Sequence, residues 1–123
     1  MSRRHIRLEL AREPGSPNGD DAVGYDLVLP LDAAHRLDAA AAESEPDQTR
    51  VRRFIRNETL AVGRLVRDAE RGWMFDFPGE ADDATGFRLE DEAFTPGEYV
   101  SVADADGVMH PYRVTLSRPV DKN

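Results

Sequence analysis

The chain contains no cysteine. That excludes disulfides, thiolate nucleophiles and every zinc site with a Cys ligand. Lysine is nearly missing too: Lys122 stands alone against fifteen arginines. Together with abundant alanine, aspartate and glycine, this points to a GC-rich genome rather than to a chemical task. Long apolar runs are absent, and no window approaches the roughly 18 apolar residues of a membrane-spanning helix. The opening Met1-Ser2-Arg3-Arg4-His5-Ile6-Arg7-Leu8-Glu9-Leu10 is charged with no apolar run behind it, so it does not read as a secretion signal. The expectation is a cytoplasmic protein with no membrane association.

The absences extend to catalytic and binding motifs. There is no Gly-x-Ser-x-Gly, no Walker loop and no dinucleotide fingerprint, so no catalytic residue and no cofactor is expected. His5, His35 and His110 are the side chains that titrate near neutrality, and none has a partner at metal-ligand spacing. The acids Glu80, Asp82, Asp83, Glu90, Asp91 and Glu92 lack the glycine-anchored spacing of a cation cage and read as a solvated rim. Val102-Ala103-Asp104-Ala105-Asp106-Gly107 looks at first like a calcium loop. Aligning Gly107 with the loop glycine puts Val102 where the first ligand belongs and Arg113 where the bidentate glutamate belongs. Asp-Gly between alternating apolar runs is a hairpin turn instead, and no metal is expected there.

What is present is mostly period two, the mark of half-buried strands. Ile6, Leu8 and Leu10 alternate with polar residues. Val23, Tyr25, Leu27 and Leu29 do the same beyond a turn-rich loop. Residues 32–45 read as the one helix, with Asp32 or Asp38 as N-cap, an alanine run behind, and Pro46 ending it. Its apolar face is weak, which suits a helix lying across a barrel opening or a sheet edge. Strands resume at 51–55 and 60–66, with Gly63 read as a bulge, then at Trp73-Phe75-Phe77 and Phe87-Leu89. Thr95-Pro96-Gly97-Glu98 fits a type II turn, and Val100 and Val102 face Val108, Tyr112, Val114 and Leu116 across the last turn. Pro111 marks an edge or a bulge. The expected fold is mainly β: a small antiparallel barrel or roll of six to eight short strands with one short α-helix. A single domain over 1–118 with a tail at 119–123 fits the chain of 123 residues.

Several blocks carry a resemblance: Gly63-Arg64-Leu65-Val66, Gly72-Trp73-Met74-Phe75-Asp76-Phe77, Gly86-Phe87-Arg88-Leu89, Phe94 to Val102, Asp106-Gly107 and Tyr112-Arg113-Val114. With Gly24-Tyr25-Asp26-Leu27 and Leu31-Asp32, the chain resembles an uncharacterised family of small acidic proteins from GC-rich proteobacteria. The resemblance implies no activity.

Charge supplies the functional expectation. The net charge is −8. Residues 50–72 hold seven arginines against three acids, whereas 73–106 hold ten acids against one arginine. Such segregation suits electrostatic recognition of a protein partner, and the net charge argues against nucleic acid. Within Arg50-Val51-Arg52-Arg53-Phe54-Ile55-Arg56 neither face is cleanly apolar, which suggests an edge strand. Arg52 and Arg56 flanking Phe54 as anchor are the expected partner-binding residues. The alternative is a small-molecule or enzymatic site at the barrel mouth, near Asp76 or His110. Asp76 itself alternates away from the rings of Trp73, Phe75 and Phe77, toward solvent. The aromatic residues, Tyr25, Phe54, Trp73, Phe75, Phe77, Phe87 and Tyr99, are expected to fill the core rather than to stack bases.

Overall fold

The computed structural model describes residues 2–70, 72–78, 84–86, 89–104 and 107–120. Eight antiparallel strands follow one another in chain order: β1 (Ser2–Leu10), β2 (Asp20–Leu31), β3 (Arg50–Ile55), β4 (Glu58–Asp68), β5 (Gly72–Asp76), β6 (Ala84–Gly86), β7 (Tyr99–Ala103) and β8 (Met109–Pro119). Each pairs with its neighbours in sequence, and β8 returns to β1 to close a barrel. The seam between β6 and β7 is thin: among the described residues, Thr85 opposite Ala103 is its one pair. The expected small antiparallel barrel with one helix is the fold the chain adopts.

Alternation explains the interior. Ile6, Leu8, Tyr25, Leu27, Leu29, Val51, Leu65, Trp73, Phe75, Val100, Val102, Tyr112 and Val114 are all buried and share one core. Fully burying such side chains contributes about 1.5–3 kcal/mol each. Tyr25 sits near the middle of this packing. Its ring meets Phe75 and Tyr112 edge-on, with centroids 5.0 and 5.3 Å away.

Four sequence expectations change. The helix is only α1 (Ala39–Ser44), capped by Asp38, whose carboxylate accepts from the Ala41 amide. The preceding residues turn instead: Asp32 accepts from the amides of Ala34 and Arg36, and His35 adopts φ 63. Local side-chain bonds to the backbone out-compete helix there. The expected bulge at Gly63 lies elsewhere, because the register of β3 and β4 slips between Arg53 and Phe54 and leaves Leu60 as the extra residue. Gly63 is required for another reason: a Cβ there would lie 1.9 Å from the carbonyl oxygen of Asp76. Of the expected strand at Phe87–Leu89, residues 87 and 88 lie outside the described residues, and Leu89 opens a 3-10 turn at Leu89–Asp91 rather than ending a strand. Finally, β3 is not an edge. It pairs with β2 on one side and β4 on the other, because a closed ring has none.

The α1 helix covers one end of the barrel, with Ala42 and Leu37 buried against the core. Among the described residues no helix is long and apolar enough to cross a membrane. Near the C-terminus, β8 runs through Pro119 and the Val120 amide donates to the Arg3 carbonyl at 3.0 Å, so pairing continues past the expected end of the domain at residue 118.

Candidate functional site

The outer face of β1–β4 is where the charge segregation becomes three-dimensional. Register sets Arg3, His5, Arg7 and Glu9 of β1 beside Val28 and Asp26 of β2. Arg50, Arg52 and Phe54 of β3 follow, then Val62 and Thr59 of β4. Arg64 continues the row opposite Asp76 of β5, which is half-buried on this outer side, as its alternation requires. The face thus carries Arg3, Arg7, Arg50, Arg52 and Arg64 against Glu9, Asp26 and Asp47, with Asp76 at its border.

Asp26 organises the middle of the face. Arg52 Nη1 donates to it at 2.6 Å, Arg7 Nη1 reaches it at 3.5 Å and His5 Nε2 lies 3.2 Å away. Arg52 also donates to the Thr59 hydroxyl, and Arg7 to Glu9 at 2.8 Å. Among the described residues the carboxylates that these two arginines meet come from β1 and β2. Farther along, Arg64 pairs with Asp47, and Arg67 reaches Glu90 at 3.1 Å.

Phe54 is fully buried even though it lies outside the barrel. It packs over Gly24, where a side chain would collide with the Leu8 carbonyl oxygen at 1.8 Å and with the Phe54 ring at 3.1 Å. Two guanidiniums cover the ring, Arg7 at 4.2 Å and Arg52 at 5.4 Å from its centroid. The expected anchor is therefore the floor of the face rather than its contact surface. Arg56 is exposed in the β3–β4 turn at φ 56. Apolar exposure falls instead on Leu60, 55% exposed in its bulge, and on Val62 at 38% and Ile55 at 37%. Nearby, Arg50 and Arg56 have no carboxylate partner among the described residues.

A second constellation lies at the barrel end away from α1. Asp104 follows β7 and receives two buried phenols: Tyr25 donates to Oδ1 at 2.7 Å and Tyr112 to Oδ2 at 2.6 Å. His110 Nδ1 lies 2.9 Å from both oxygens of Glu13, and its Nε2 stands 3.7 Å from Asp104. Burial, and then the carboxylate of Asp104, push the Tyr25 hydroxyl far above its ordinary value. Tyr112 is raised too, by burial first and by the neighbouring Tyr25 next. Arg53, inward-facing opposite Tyr25, opposes both shifts. The arrangement holds two protonated phenols on one carboxylate. Gly107, at φ 77, donates its amide to the Asp104 carbonyl at 2.8 Å and so closes the hairpin turn. Among the described residues no group of three or more ligating side chains can hold a metal ion.

Sequence reasoning placed His110 at this end but missed its partners. Tyr25 and Asp104 are 79 residues apart, His110 and Glu13 are 97, and only the barrel register brings them together. His5 and Asp26 meet in the same way across β1 and β2. Of the aromatic set, Tyr25, Phe54, Trp73, Phe75 and Phe77 are buried, whereas Tyr99 is 60% exposed on β7. The acids 80, 82 and 83 and Asp106 lie outside the described residues. No family model, no curated protein and no solved structure matches this chain.

Proposed function

We propose that this protein is a non-catalytic binding module whose outer β1–β4 face receives an acidic, partly apolar segment of a protein partner. One observation carries the reading: a basic island with exposed Leu60 and Val62 stands on a chain of net charge −8. Opposed charges steer the encounter and fix orientation, while the apolar contact slows dissociation. The face carries carboxylates of its own at Asp26 and Glu9, and these oppose the continuous polyanion of a nucleic acid. Phe54 and Arg52 support the surface, whereas Leu60, Val62, Arg50 and Arg56 meet the partner.

The test is capture from native extract with the wild type and with a Leu60→Ser, Arg50→Glu double variant. The expected partner has an acidic contact segment, binds less tightly as salt rises, and is lost by the variant at an unchanged thermal midpoint. Equal capture by both proteins removes this face from consideration. An oligonucleotide bound at physiological salt and displaced by the same substitutions replaces the protein reading with a nucleic-acid one.

The second reading is a small-molecule site at the barrel end, favoured by the convergence of Tyr25, Tyr112 and His110 on Asp104 with Arg53 facing the same end. A compound that copurifies with the native protein and is lost on Arg53→Ala supports it. Native mass spectra showing only the polypeptide mass speak against it.

A further inference from the structure

A pocket opens on the basic face where the 3-10 turn at Pro46–Gln48 lies over the strands. Arg3, Val28, Gln48, Arg50, Val62 and Gly63 line it. Its two arginines lack carboxylate partners among the described residues. Arg50 has no carboxylate partner among the described residues. Arg3 donates through Nη1 to the uncharged Gln48 Oε1, and its buried Nε has no acceptor at all. Asp47 also lines the pocket, but it is held by Arg64. Two arginines therefore line one pocket without a carboxylate partner of their own among the described residues.

The shape of the lining narrows the ligand. A guanidinium presents a planar fork of N–H donors that matches a carboxylate. Val28 and Val62 offer an aliphatic wall for a short methylene stem. Asp47 on the rim opposes a second negative charge, which favours a monoanion over a phosphate. We infer that this pocket receives a side-chain carboxylate, glutamate or aspartate, carried by the acidic segment of the partner. The identity of the carrier rests on the partner reading above, but the anion site does not.

The experiment uses the full chain and no partner. Propionate, a mimic of the glutamate side chain, and inorganic phosphate are titrated separately at constant ionic strength. The Gln48 side-chain amide, the Gly63 backbone amide and the Arg50 Nε–H are followed by NMR. Propionate is expected to shift all three saturably. Arg50→Gln should weaken it by about tenfold or more, the worth of one charge-assisted hydrogen bond. Arg3→Lys, which keeps the charge and loses the fork, should weaken it less. Absence of saturation, shifts unchanged by Arg50→Gln, or tighter binding of phosphate than of propionate each overturn the assignment. The two proposals fail separately. Propionate binding without any captured partner sinks the partner reading alone, while a partner held equally by wild type and Arg50→Gln shows that its carboxylate does not enter the pocket and leaves the face and the anion site standing.

Discussion

Replacing Asp104 by alanine removes the one acceptor that two buried phenols share. The Tyr25 and Tyr112 hydroxyls approach its oxygens at 2.7 and 2.6 Å, and both residues are essentially inaccessible to water. A hydrogen bond to a charged group contributes about 1.5–3 kcal/mol, and a buried donor left without an acceptor loses a comparable amount, so the expected destabilisation is about 3–5 kcal/mol. That is a large share of the roughly 5–15 kcal/mol that holds a domain together. For a chain of this length it corresponds to a fall in thermal midpoint of roughly 10–20 °C. Asp104→Asn keeps one acceptor oxygen and should lose about half as much. Adding Tyr25→Phe and Tyr112→Phe to Asp104→Ala should restore part of the loss, because no donor is then stranded. The measurement is thermal and urea unfolding followed by circular dichroism across the set. A fall of only a few degrees for Asp104→Ala would mean that water satisfies the phenols. The barrel end would then be open, and the reasoning about a sealed network would be wrong.

Stability should also fall on the alkaline side. Both tyrosines are raised in the folded state, chiefly by burial, so the unfolded chain releases their protons first, near the ordinary tyrosine value of about 10. Their contribution is intact below that pH and declines as pH rises above it; a thermal midpoint flat from pH 9 to 11, with Tyr25→Phe behaving identically, would contradict this. Gly63→Ala should cost about 1–3 kcal/mol or more, because its Cβ meets the Asp76 backbone and β4 and β5 must part. Gly107→Ala, with open space around it but φ 77, should lose only about 1–2 kcal/mol from backbone strain. Urea midpoints that rank the two the other way would refute the distinction. Trp73→Ala should cost about 3–5 kcal/mol, since the ring is buried and its Nε1 donates to Glu90 at 2.8 Å; a near-unchanged midpoint would place the ring at the surface.

Period two made the strands readable. In Val100-Ser101-Val102 and Tyr112-Arg113-Val114 every second residue is buried, and the turn between them closes at Gly107 as the Asp-Gly signal implies. The alternation in Arg50 to Arg56 was equally legible, with Val51 and Arg53 inward and Arg52 and Phe54 outward. Its meaning was not, because alternation is silent on whether an outer face is wet. Phe54 is covered by Arg7 from a strand more than forty residues away, a contact that depends on Gly24 leaving room in the strand between them. The same limit hid the basic face itself. Arg3 and Arg7 lie outside the arginine-rich block, and only pairing of β1 with β2 lays them beside Arg50 and Arg52. The helix is shorter than the expected 32–45 for a local reason, since Asp32 is as good a turn former as it is a cap.

Next-neighbour pairing around the ring also bears on how the barrel assembles. Every seam but one joins strands that are adjacent in sequence, so it can form by closing a short stretch of chain. The remaining seam brings Leu10 to Tyr112, roughly a hundred residues apart. Each doubling of a closed loop costs about 0.6 kcal/mol of chain entropy, so this step carries on the order of 2–3 kcal/mol more than a hairpin. Hairpins that zip early and a β1–β8 closure that comes late would place the rate-limiting search at that seam. Substitutions on the β8 side of it, such as Val114→Ala, would then speed unfolding more than they slow folding, whereas changes in the β7–β8 turn would act on the folding arm.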